Sequence, residues 1–136
     1  MFVKRSSDGT LPALPGITRQ TLAHGERTLM TEFRLEAGSV LPRHAHPHEQ
    51  TGYLVSGQLR LTIGEETFGV QPGDSWCIGG GVEHEAEALA ESVAVEVFAP
   101  VREDYLETRA ARASEQAFLA TLAKVPDVEP EEHDRL

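Results

Sequence analysis

Residues 38–50 read Gly38-Ser39-Val40-Leu41-Pro42-Arg43-His44-Ala45-His46-Pro47-His48-Glu49-Gln50, closed by Gly57 and answered by a separate histidine, His84. On an extended chain, side chains two apart project to the same side, so His44 and His46 share a face. Gln50 has the same parity, with Pro47 interrupting the register between them. Two or three neutral donors on one face, joined by an imidazole from a later strand, can enclose a divalent cation. The stretch therefore reads as a metal site built on β-structure.

Working outward, the chain from about residue 17 to 100 reads as short strands separated by turns. Leu29, Thr31, Phe33 and Leu35 alternate with Met30, Glu32 and Arg34, as a half-buried strand requires. Leu59, Leu61 and Ile63 alternate with Arg60 and Thr62 in the same way. Ala37-Gly38, Ser56-Gly57, Ile63-Gly64 and Gln71-Pro72-Gly73-Asp74 punctuate the strands. This spacing predicts an antiparallel sandwich or small barrel over residues 17–106, preceded by an N-terminal arm, 1–16. Ile17–Leu22 is expected to extend a partner's sheet in a homodimer. A helical segment is expected over 107–125, where Phe118, Leu119 and Leu122 form one stripe before Pro126. Residues 126–136 are acidic and poor in large apolar groups, and are expected to be disordered.

The length of 136 residues fits one domain. Lys and Arg total 12 against 22 Asp and Glu, a net charge of −10 that argues against nucleic acid or an anionic membrane as partner. A small anionic ligand remains compatible, because one arginine and a metal reverse the local field in a pocket. Cys77 is the only cysteine, so no intrachain disulfide forms. No apolar run follows Lys4 and Arg5, and none approaches a membrane span, so a cytoplasmic location is expected. Cys77 is expected to be buried, and Trp76 and Tyr53 to be core or interface aromatics.

The order Gly38, five residues, His44-Ala45-His46, three residues, Gln50, six residues, Gly57 resembles the first motif of the cupin superfamily. Gly73, five residues, Gly79-Gly80-Gly81, two residues, His84 is similar to the second. Gln50 stands where Glu is usual, Gly79 where Pro is common, and Ala88 where Asn is common. The resemblance implies an all-β fold, a cupin-type jelly-roll β-barrel with a short C-terminal helix. It also implies one divalent metal ion, with Ni, Zn, Mn and Fe all compatible with nitrogen and oxygen donors. Three imidazoles and an amide oxygen leave the ion its full charge, which favours Lewis-acid chemistry over redox cycling.

Three stretches narrow the resemblance: HPHEQTGYLVSG (46–57), GDSWCIGGGVEHEAEAL (73–89) and VEVFAPVREDYL (95–106). They are similar to the single-domain cupins of pectin and alginate breakdown, which convert 4,5-unsaturated uronates to linear 4-deoxy-5-keto uronates. In that family the metal ligands occupy the positions of His44, His46, Gln50 and His84. A carboxylate, a phenylalanine and an arginine beside the metal correspond to Glu96, Phe98 and Arg102. The family carboxylate is typically Asp, so Glu96 is a further departure.

Glu96 also stands out without the resemblance. It interrupts the apolar run Val93-Ala94-Val95-Glu96-Val97-Phe98-Ala99, and a charge there is costly to bury unless it is paired or its pKa shifts. Period 2 places Glu96 and Phe98 on one face. The bland alternatives are a salt bridge of Glu96 with Arg102 and a packing role for Phe98. His48 is expected behind the ligands or at the rim, with replacement of Gln50 as ligand as its alternative; Glu49 is expected on the outer face. Arg43 and Arg60 are candidate contacts for a substrate carboxylate. Three functions are expected in descending order: a uronate-linearising enzyme, a metal-dependent dioxygenase, and a non-catalytic cupin binding a small molecule. The substrate expected for the first is an anionic sugar.

Overall fold

The alternation of apolar and polar residues becomes ten strands with one side facing inward. Residues 1–106 are described by the computed structural model; the segments expected over 107–125 and 126–136 lie outside the described residues. The strands are β1 (Leu11–Leu14), β2 (Ile17–His24), β3 (Leu29–Leu35), β4 (Val40–His44) and β5 (Glu49–Ser56). They continue with β6 (Leu59–Ile63), β7 (Glu66–Val70), β8 (Ser75–Ile78), β9 (His84–Ala88) and β10 (Ser92–Ala99), followed by a 3-10 turn, Glu103–Tyr105. Six form one sheet in the order β1-β2-β3-β10-β5-β8, and four form a second in the order β4-β9-β6-β7. Every strand pair is antiparallel.

The inner faces of the two sheets close on one core. Leu29, Phe33, Leu35, Leu54 and Ala94 from the larger sheet meet Leu59, Leu61, Ala86 and Ala88 from the smaller. Leu29 and Leu54 are fully buried, and each such leucine contributes about 1.5–3 kcal/mol relative to exposure. One turn admits only glycine. Gly57 has φ +95°, and a Cβ there would overlap Ser92 and the Glu91 carbonyl. The Ser92 hydroxyl in turn accepts from the Gln58 amide at 3.0 Å, tying the β5–β6 turn to the start of β10.

Register divides the interior into layers. Ala94 lies opposite Phe33 on β3 and Leu54 on β5, an apolar layer. One pair further along β10, Glu96 lies opposite Thr31 and Gly52, and Gly52 lies opposite Trp76 on β8. Phe98 then lies opposite Leu29 and Gln50. In the smaller sheet His84 lies opposite His44 on β4 and Ile63 on β6. Glu96, Gln50, His44 and His84 thus collect toward one end of the barrel, above the apolar core.

Two expectations are corrected. The start of the Ile17–Leu22 segment does not present a free edge: residues 17–19 pair with β1 on one side and β2 pairs with β3 on the other, because the chain doubles back at Pro15-Gly16. Cys77 is exposed. Trp76 and Ile78 share the inward parity of Gly52 and Gln50, so Cys77 between them points outward from an edge strand.

Candidate metal centre

His44 ends β4, His84 opens β9, and His46 lies in the bend that leads into β5. The cross-strand pairing of His44 with His84 brings their ring centroids to 4.2 Å, and those of His46 and His84 lie at 5.0 Å. One candidate ligand nitrogen from each histidine lies within 4.8 Å of the others, so the three could hold a metal ion. Each ring is fixed by its own backbone. Nδ1 donates to the Pro42 carbonyl from His44 (2.8 Å), to the His48 carbonyl from His46 (3.1 Å), and to the Val82 carbonyl from His84 (2.9 Å). A carbonyl only accepts, so each Nδ1 carries the proton and each Nε2 offers a lone pair. The Nε2 atoms of His44 and His84 are buried and have no hydrogen-bond partner among the described residues.

Gln50 places an amide oxygen against this cluster. Its amide nitrogen donates to Glu96 Oε2, which leaves its carbonyl oxygen turned to the histidines, 3.0 Å from His46 Nε2. With Nδ1 already donating, a neutral His46 has no second proton for that contact. Two lone-pair atoms therefore face each other, an arrangement that a cation reconciles. A proton is disfavoured there: burial, and then the Arg102 charge, lower the His46 pKa to about 4. Burial likewise lowers His84 to about 4, against the opposing pull of its bond to the Val82 carbonyl. On this geometry the residues fit a divalent ion.

Glu96 lies within the barrel, 7% exposed. Its Oε1 accepts from the Trp76 indole N–H at 2.8 Å and its Oε2 from the Gln50 amide. Burial raises its pKa to about 7 although both hydrogen bonds favour the charged form. The expected alternative, a salt bridge with Arg102, is not how Glu96 is held; both its oxygens take neutral N–H donors.

Phe98 shares the inward face of β10 with Glu96, its ring centroid 5.7 Å from that of His46. Arg102 is fully buried beside it, its guanidinium carbon 5.0 Å from the Phe98 centroid and 4.1 Å from that of Tyr105. Asp104 grips it through Nη2 at 2.9 Å and Nε at 3.3 Å. The arginine's charge acts on the histidines, since it lowers His46, His48 and His84 alike.

The structure brings His44, His46, His84, Gln50, Glu96 and Phe98 together, with Arg102 on the same side. His48 is not one of the three whose nitrogens converge: its backbone carbonyl orients His46, while its ring lies 5.6 Å from that of His46 and 6.5 Å from that of Phe98. Glu49 is exposed, as its parity required. Arg43 and Arg60 do not reach the site; they lie on the outer surface, paired with Glu83 and Glu87. Sequence reasoning missed the roles of Trp76, Tyr105 and Arg19. Tyr105 and Arg19 are both buried, the guanidinium carbon of Arg19 lying 4.2 Å from the Tyr105 centroid. Shared parity with Ile17 on β2 was the available signal for Arg19; for Trp76 it was the vacancy at Gly52.

Comparison with known proteins agrees with this architecture. The cupin domain family Cupin_2 matches residues 31–99. The structure of KdgF from Halomonas sp. superposes with a TM-score of 0.74 at 29% identity, covering 78% of this chain and 98% of that one. An RmlC-like cupin from Shewanella frigidimarina gives 0.69 at 25% identity, covering 71% and 87%. A predicted oxalate decarboxylase from Thermotoga maritima, at 18% identity and a TM-score of 0.63 over 74% and 99% of the two chains, shares the fold. No curated protein sequence matches. Two facing antiparallel sheets, a three-histidine cluster at one end and a family match over residues 31–99 lead to one assignment: the chain belongs to the cupin family.

Proposed function

We propose that this protein is a metal-dependent enzyme that converts 4,5-unsaturated uronates to linear 4-deoxy-5-keto uronates. The observation that carries this reading is Glu96, a buried carboxyl with pKa about 7, joined through Gln50 to a histidine trio able to hold a metal. A group that titrates near neutrality exists as both acid and base at working pH, which proton transfer to carbon and from water requires. Support also comes from the resemblance of residues 46–57, 73–89 and 95–106 to the uronate-linearising cupins, and from the likeness to KdgF at 29% identity.

His44, His46, His84 and Gln50 would hold the divalent ion. When bound, such an ion supplies Lewis-acid polarisation of a substrate oxygen. Glu96 delivers a proton to C4 of the C4–C5 double bond and takes one from the water that adds at C5. The resulting hemiketal opens as its C5 hydroxyl gives up a proton and its ring oxygen takes one, leaving a C5 ketone and a hydrated C1 aldehyde that releases water, so the net change is isomerisation of the ring to the open chain. Arg102, buried and held by Asp104 and the Phe98 and Tyr105 rings, supplies the positive charge that draws the substrate carboxylate toward this end of the site. Phe98 forms the apolar wall against the sugar ring.

The test is incubation of metal-loaded protein with a 4,5-unsaturated uronate while the ultraviolet absorbance of the conjugated alkene is followed. Loss of absorbance well above the buffer rate is expected; a rate equal to buffer rejects the assignment.

A further inference from the structure

We infer that Trp76 is a positioning residue for Glu96, its indole N–H fixing one carboxyl oxygen so that the other faces the metal-binding side. Glu96 is on β10 and Trp76 on β8, and β5 runs between them. The two side chains meet because β5 carries glycine at the crossing point. Gly52 is the register partner of both Glu96 and Trp76, and a Cβ on it would overlap Glu96 Oε1 and Trp76 Nε1 at once. The indole and the carboxyl thus occupy the space a side chain at position 52 would fill, and they meet there at 2.8 Å.

This contact is directional in its consequences. An indole has one N–H and no acceptor, so it binds Oε1 as a donor only. With Oε1 held, Oε2 is the oxygen on the side of Gln50, whose own carbonyl faces His46. Rotation of the carboxyl about its last torsion, otherwise broad and soft, is removed by the two donors acting from opposite sides. A glutamate reaches one methylene further than an aspartate and has one more torsion to fix. The Trp76–Gly52 pair supplies that restraint.

The inference rests on the uronate reading only for its kinetic arm, and a second arm is independent of turnover. Trp76 is the single tryptophan of the chain, so one indole N–H resonance reports on it. Glu96→Ala is expected to shift that resonance and to speed its solvent exchange by about tenfold, the equivalent of one lost hydrogen bond. An unchanged resonance and exchange rate would overturn the proposal. In the kinetic arm, Trp76→Phe keeps the aromatic ring and removes the donor. It is expected to lower kcat for the unsaturated uronate about tenfold, with KM and bound metal per protein unchanged. Wild-type kcat in that variant would equally overturn it. Should Trp76→Phe not fold, the indole resonance of the wild-type protein and its response to Glu96→Ala decide the pairing on their own. If the wild-type protein leaves the uronate untouched while the indole signal responds to Glu96→Ala, the uronate reading fails and the pairing stands.

Discussion

Gln50 and Glu96 are bonded across neighbouring strands, amide nitrogen to carboxyl oxygen, and this bond decides which end of the amide faces the histidines. A glutamate at position 50 has no such donor and would set two carboxyls against each other. The glutamine at a position where cupins usually carry glutamate is thus complementary to the glutamate at position 96. Gln50→Leu preserves bulk while removing both the oxygen toward the trio and the donor toward Glu96. It is expected to weaken divalent-ion binding at least about tenfold in a chelator competition, with the folded circular dichroism spectrum retained.

Metal binding should register as stability. A ligand present at about 100 times its dissociation constant adds about 2.7 kcal/mol to the folded state. Adding divalent ion to stripped protein is therefore expected to raise Tm by several degrees in a calorimetric scan. His84→Ala removes a buried ligand nitrogen and is expected to abolish the rise. His48→Ala, outside the trio, is expected to keep it.

The metal-free protein should lose stability on the acid side. His46 and His84 are lowered from 6.5 to about 4 by burial, so between these values the unfolded chain binds more protons than the folded one. Their contribution is present above pH 6.5 and is lost as pH falls toward 4. Glu96 acts in the opposite sense. Raised from 4.5 to about 7, it binds its proton more firmly in the folded state, so its contribution is lost as pH rises through that window. His46 and His84, joined by His48, which burial also lowers, outweigh one glutamate, so unfolding takes up protons on balance and stability falls as pH falls through this range. Urea unfolding of stripped protein across this range checks the sign. Glu96→Gln removes the opposing group and should steepen the slope.

Arg102 is expected to serve binding more than turnover. Arg102→Lys keeps the charge but loses the fork that Asp104 and the two rings hold flat. Steady-state kinetics with the unsaturated uronate should show KM raised more than about tenfold with a smaller change in kcat, the pattern of lost ground-state binding. A stability loss of about 1–3 kcal/mol should accompany it in urea, because a buried hydrogen-bonded charge is imperfectly replaced.

Much of this was legible in one dimension because strand parity is strict. Alternation at Leu29–Leu35 and Leu59–Ile63 gave the inner faces, and the spacing of His44, His46 and Gln50 gave a common side for donors. Glu96 was visible as the one charge on an apolar strand, and it is buried. The outward positions of Arg43, Arg60 and Cys77 depend on which face each strand buries, and parity alone leaves that choice open.

The sequence by itself determined an all-β cupin chain with a cluster of metal-capable donors and an isolated buried acid. Only the tertiary structure decided how those pieces act on one another. Register placed Gly52 between Glu96 and Trp76, residues 20 apart in the chain, and cross-strand pairing set His84 beside His44. The amide direction of Gln50 followed from its hydrogen bond to Glu96, 46 residues away. Such contacts depend on how strands from distant parts of the chain are aligned, and a side-chain period of two carries no information about which strand lies beside which.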